Sequence, residues 1–138
     1  MLATMNTAFV VLGSIFVFLA AVIHLFIFFL ESVLWSRPTT WKRFGLKSQE
    51  EADTVKPMAY NQGFYNVFLA LGAGTGLIMI SSTNVVQGGI ALSIFALLSM
   101  LLASIVLITS NPKLWRAAVL QGAAPLLGII FLVLALAT

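Results

Sequence analysis

The chain has 138 residues, of which 61% are hydrophobic and 8% charged, with a net charge of +3; an ordinary soluble domain carries about 25% charged residues. Its mean hydropathy of +1.09 leaves too little polar material for a water-exposed surface, which excludes a soluble enzyme, a nucleic-acid-binding module and a disordered tail. With no cysteine there is no disulfide, thiolate metal site or cysteine nucleophile, and a single histidine gives little basis for a metal centre; neither a cofactor nor a metal is expected.

In chain order, the first apolar run covers 8–34. It has no Lys or Arg ahead of it, it is too long for a signal peptide, and it ends in Glu31, Trp35 and Arg37 instead of a small-residue cleavage site, so it reads as a retained helix. A polar loop over 36–57 follows. Within it, Trp41-Lys42-Arg43-Phe44 mixes aromatic and basic residues as a segment lying in the membrane interface does. Ser48-Gln49-Glu50-Glu51 matches a capping box opening a short helix that Pro57 ends or kinks. The second and third runs, 58–80 and 86–108, are joined by an uncharged turn. A short loop over 109–116 carries Lys113 and Arg116, and Asn111-Pro112 has the form of an N-cap and first-turn proline for the last run, 117–137. Each run reaches the roughly 20 residues that a spanning helix needs. Continuous apolarity, with no alternation, selects helices over barrel strands.

All seven Lys and Arg fall in the first and third loops: Arg37, Lys42, Arg43, Lys47, Lys56, Lys113 and Arg116. The positive-inside rule puts both loops in the cytoplasm and both termini outside, and an even number of crossings agrees with it. The expected fold is therefore a single all-α membrane domain, a four-transmembrane-helix up-down bundle with a short interfacial helix in the first cytoplasmic loop. Trp35, Trp41 and Trp115 flank the basic loops as membrane-interface anchors, with Arg37, Lys42, Arg43 and Arg116 at the same interface. The first loop reads either as an anchored loop holding two helix ends at the membrane surface or as a lid or anionic-lipid site with Arg37, Lys42, Arg43 and Lys47 facing lipid phosphates.

Ionisable groups inside an apolar span are costly and mark function by default. His24 and Glu31 qualify; seven residues apart, they lie on one helix face roughly 10 Å apart. The second span opens with Tyr60-Asn61-Gln62-Gly63-Phe64-Tyr65-Asn66, where Gln62 stacks on Asn66 and Asn61 on Tyr65 at i, i+4. Gln121 enters at the same end of the fourth span, and Pro125 removes the helical donor to its carbonyl. His24, Glu31, Asn61, Gln62, Tyr65, Asn66 and Gln121 are thus expected to converge on a polar pocket in the cytoplasmic half. The same amides and carboxylate can instead join helices by hydrogen bonds. Gly72, Gly74 and Gly76, with Gly88, Gly89, Ser93, Ser99, Ala103 and Ser104 in the third span, allow close helix packing or form a face for a second copy.

His24, Glu31 and Trp35, the loop segment Trp41-Lys42-Arg43-Phe44-Gly45-Leu46 and the segment from Asn61 to Ala70 together resemble the DUF1304 family, small bacterial integral membrane proteins of unassigned function. The resemblance spans essentially the whole chain. It implies a four-helix protein of the bacterial inner membrane and no particular reaction. Three functions fit the residues. The first is binding or transport of a small amphiphilic or polar molecule. The second is an accessory, structural subunit of a larger membrane complex, and a homodimer is a further possible assembly. The third is an enzyme using His24 and Glu31 as acid and base on a lipid-borne substrate. Membrane lipids are the expected partners in all three, and nucleic acid in none.

Overall fold

In the computed structural model, which describes residues 5–137, the four apolar runs are helices long and apolar enough to cross a membrane. The first, α1 (Thr7–Phe28), is capped by the Asn6 side chain, which accepts from the Ala8 N–H at 3.1 Å. It widens into a π-helical turn at Phe29–Val33. A four-residue helix, α2 (Pro38–Trp41), and a 3-10 turn (Lys42–Phe44) form the first loop. The remaining long helices are α3 (Gln49–Ile80), α4 (Val86–Ser110) and α5 (Trp115–Ala137), the last preceded by a 3-10 turn at Pro112–Leu114. Asn111 caps that turn, accepting from the Lys113 N–H at 3.3 Å.

Each long helix packs on two others: α1 and α4 both pack on α3 and α5, leaving α1 diagonal to α4 and α3 diagonal to α5. Close approaches pair Gly13 with Leu132 and Gly128 with Val17, so α1 and α5 run in opposite directions. The interior is made largely of small residues, among them Ala20, Ala73, Ala96 and Ala135, together with Val17, Ile90, Leu97, Met100 and Leu132. Large apolar side chains point outward: Ile78 is 75% exposed and Phe95 69%. Small inside and large outside is the arrangement of a bundle solvated by lipid, where helix association depends on close packing because lipid tails are as apolar as the side chains. The chain is a multi-pass membrane protein.

The sequence expectation for Pro57 needs correction. The helix opened at Ser48 is not a separate short one: it runs through Pro57 to Ile80. Proline leaves the Asp53 carbonyl without its helical donor, but both residues are exposed, and the helix is held on either side of the defect by buried Ala52 and Ala59. The cap itself forms as expected at the Ser48 hydroxyl, which accepts from the Glu51 N–H at 3.1 Å; the reciprocal bond lands one residue early, from the Lys47 N–H to Glu51 Oε2 at 2.8 Å.

Ala52 and Ala59 belong to a second core, formed with Trp35 and Trp41 and flanked by Phe44, Leu46 and Val55. The first loop is therefore a packed cap on one end of the bundle. Gly45, at φ +85°, turns the chain out of the 3-10 segment, and a Cβ there would come within 3.9 Å of the Asn111 amide. The two basic loops thus meet at the same end, as the charge pattern requires.

Candidate functional site

The π-helical turn is closed by the Leu34 N–H donating to the Phe29 carbonyl at 2.8 Å, one residue wider than an α-turn; such turns recur at functional sites. It sets Glu31 and Ser32 side by side against α3 at Gly63. A Cβ on Gly63 would run into the Ser32 hydroxyl and come within 3.2 Å of the Glu31 Cβ. The absent side chain lets the wide turn dock. Ser32 Oγ donates to the Tyr60 carbonyl at 2.8 Å, and Glu31 Oε2 accepts from Asn66 Nδ2 at 3.0 Å. Asn66 Nδ2 also donates to the Gln62 carbonyl of its own helix at 3.0 Å, which fixes the amide's orientation. Two side-chain bonds therefore join α1 to α3 around one glycine.

Aromatic rings flank this junction. Phe64 lies edge-on to Phe28, with centroids 5.2 Å apart, and tilted against Tyr60 at 5.0 Å. Glu31 is half-buried, and Asn66 is its one hydrogen-bond partner among the described residues. A carboxylate offers about four lone-pair sites, so most of its accepting capacity is unused.

His24 is fully buried, and its Nδ1 lies 2.8 Å from the Ala20 carbonyl of its own helix. A carbonyl only accepts, so Nδ1 carries the proton and Nε2 has no partner among the described residues. Of the seven residues expected to converge, then, Glu31 and Asn66 bond to each other. His24 turns to its own backbone, Gln121 is half-buried on α5, and Asn61, Gln62 and Tyr65 are exposed on α3. A groove of about 290 Å³ lies elsewhere, between α4 and α5, and none of the seven lines it. Sequence reasoning missed Ser32 as a bonding group and Gly63 as the docking point. The glycine within a run of amides and phenols was the available signal; the π-turn had none.

The interface residues divide. Trp35 and Trp41, expected as lipid-facing anchors, are 5% and 4% exposed, with their indole N–H groups donating to the Ala52 carbonyl at 2.9 Å and to Gln49 Oε1 at 3.1 Å. Their rings build the cap core because it supplies the acceptors that buried indoles need. Lys42 approaches the Trp41 ring, Arg43 bonds the Thr39 carbonyl, and Arg37 is exposed. Trp115 is 51% exposed, with the Arg116 guanidinium 5.4 Å from its ring centroid, the disposition expected of an interface pair.

Four apolar helices, a small-residue interior and a polar α1–α3 junction define a small multi-pass membrane protein of the four-helix class. The chain belongs to the DUF1304 family, described as protein of unknown function, whose family model matches residues 18–133. That stretch contains the π-turn, the cap and the Gly63 junction. No curated protein and no solved structure matches the chain.

Proposed function

We propose that the protein is a four-span up-down bundle of the bacterial inner membrane, with its basic loops cytoplasmic and both termini outside. In this reading the α1–α3 junction binds a small amphiphilic molecule and presents Glu31 to its cationic or N–H-donating end. One observation carries it: a half-buried carboxylate inside an apolar helix, held by one amide, with most of its lone pairs unfilled. An acidic side chain costs up to about 3 kcal/mol at the centre of a membrane, less near its surface, whereas an interhelical hydrogen bond returns about 0.6 kcal/mol. The Asn66 bond alone therefore does not account for retaining an acid there. Phe28, Tyr60 and Phe64 supply apolar and π-faced walls suited to an alkylammonium.

Titration of the detergent-purified protein with octyltrimethylammonium, and with octanol as the uncharged control, tests this reading. Saturable binding of the cation, weakened at least about ten-fold in Glu31→Gln at unchanged melting temperature, supports it. Equal binding of the two probes, or of the cation by wild type and Glu31→Gln, refutes it. A structural role is the second reading, favoured by the paired Ser32–Tyr60 and Glu31–Asn66 bonds; it gains if Asn66→Ala lowers stability sharply and neither probe binds.

A further inference from the structure

The groove between α4 and α5 is a different site from the Glu31 junction, on the side of the bundle opposite the α1–α3 pair. Its walls are Ile105, Ile108, Val119 and Leu126, and its floor is Gly122 and Ala123. The floor exists because the two helices close on each other at Gly122, where a Cβ would run into the Ser104 hydroxyl. Small residues underneath and exposed branched residues on either side leave a trough of about 290 Å³, near the lower end of the roughly 300–1,000 Å³ usual for ligand sites.

The chemistry at its mouth is cationic. Lys113 and Arg116 stand at the start of α5, both exposed, with Arg116 held over the half-exposed Trp115 ring. The positions of Arg116, Val119 and Ala123 put this cation on the same side of α5 as the groove. The chain has four acidic residues, Glu31, Glu50, Glu51 and Asp53. All four lie on the π-turn or on α3, the helix diagonal to α5. Neither cation forms an ion pair among the described residues, and the apolar trough beneath them is open to the outside of the bundle.

We propose that this groove is a binding site for an anionic phospholipid, with one acyl chain in the α4–α5 trough and the headgroup phosphate held by Arg116 and Lys113 beside Trp115. A second copy of the chain is the less favourable occupant. Two protomers meeting through this face in the same membrane orientation would bring four uncompensated cations together at one end. A phosphate-bearing lipid satisfies the trough and the charges at once, and basic residues at the membrane surface favour anionic lipid by roughly five-fold each.

Native mass spectrometry of the full-length protein in mild detergent, titrated with dioleoyl phosphatidylglycerol or dioleoyl phosphatidylcholine, tests the assignment. The expected result is about ten-fold or greater preference for phosphatidylglycerol, lost in K113Q/R116Q. Ala123→Phe, which fills the trough from an exposed position, should reduce retention of both lipids several-fold, and Val11→Phe on the exposed face of α1 should leave it unchanged. If Ala123→Phe does not fold, the headgroup preference and its loss in K113Q/R116Q still decide the matter. Equal retention of the two lipids overturns the proposal, as does a preference that survives K113Q/R116Q. A dimer abolished by Ala123→Phe also overturns it and assigns the groove to a second copy.

Discussion

Replacing Gly89 with alanine should destabilise the bundle far more than the same change at Gly74, though both glycines sit in apolar helices. A Cβ on Gly89 would lie 2.6 Å from the Ile80 nitrogen and 2.8 Å from both the Gly76 carbonyl oxygen and the Met79 carbonyl carbon. All three are backbone atoms of α3, so no rotamer change relieves them; restoring ordinary contact means parting the helices by about 0.8 Å or deforming one of them. Overpacking of this kind costs about 1–3 kcal/mol, with the upper half apt where only backbone can yield. The better helix propensity of alanine returns up to about 1 kcal/mol, leaving a net loss of about 1–2 kcal/mol. At Gly74 a Cβ meets nothing within 4 Å, so the propensity gain stands alone and Gly74→Ala is neutral or stabilising by up to about 1 kcal/mol. Reversible unfolding in mixed micelles, followed by helical ellipticity, measures both. Equal stability of the two variants would refute the reasoning, because it would mean that the α3–α4 approach at Gly89 is not a rigid backbone contact.

Gly63→Ala displaces the Ser32 hydroxyl and should lose about 1–3 kcal/mol, and Ser32→Ala should recover part of that loss although it is itself mildly destabilising; a double-mutant cycle in the same assay shows the coupling. Glu31→Gln keeps an acceptor for Asn66 and should leave stability unchanged within about 0.5 kcal/mol, whereas Asn66→Ala loses an interhelical bond and about 0.6 kcal/mol. In liposomes containing brominated acyl chains, a variant retaining only Trp115 should be strongly quenched, and those retaining only Trp35 or only Trp41 weakly quenched, in line with their exposure. Gly45→Ala forces a side chain into the left-handed region and should cost about 1 kcal/mol, seen as faster amide exchange across the cap.

What the residues disclosed in advance was governed by solvent. Continuous apolar runs admit only helices in lipid, and the clustering of Lys and Arg placed the first and third loops at one end, where Gly45 does meet Asn111. Ser48 announced its own cap. The helix through Pro57 was not legible, because the tolerance comes from Ala52 and Ala59 packing on tryptophans distant in sequence. Those tryptophans read as anchors for the same reason: indoles beside basic residues suit an interface, and only the fold supplies the Ala52 carbonyl and Gln49 amide that bury them. Within the polar segment, helical spacing put Gln62 and Asn66 on one face, yet only Asn66 reaches Glu31, since the π-turn alters the phase of α1 where the two helices meet. The spacing Gly72-x-x-x-Gly76 likewise pointed to close packing, but Gly76 and Gly89 make the backbone approach while the Gly72 position has a nearest neighbour at 3.7 Å.

The 32 residues of α3 make a rod about 48 Å long, well beyond the roughly 30 Å of hydrocarbon it has to cross. One end belongs to the cap through Ala52 and Ala59, and the other to the bundle interior through Ala70 and Ala73. The molecule accordingly has a lever arm in α3, with its pivot where the helix leaves the bundle for the cap. A tilt of about 10° about that point would move the tip of an overhang of about 18 Å by about 3 Å, and Trp35 is bonded to that arm at the Ala52 carbonyl. Because Trp35 closely follows the π-turn, the cap and the half-buried Glu31 are tied to α3 through neighbouring residues, one by the Trp35 bond to the Ala52 carbonyl and the other by the Asn66 bond.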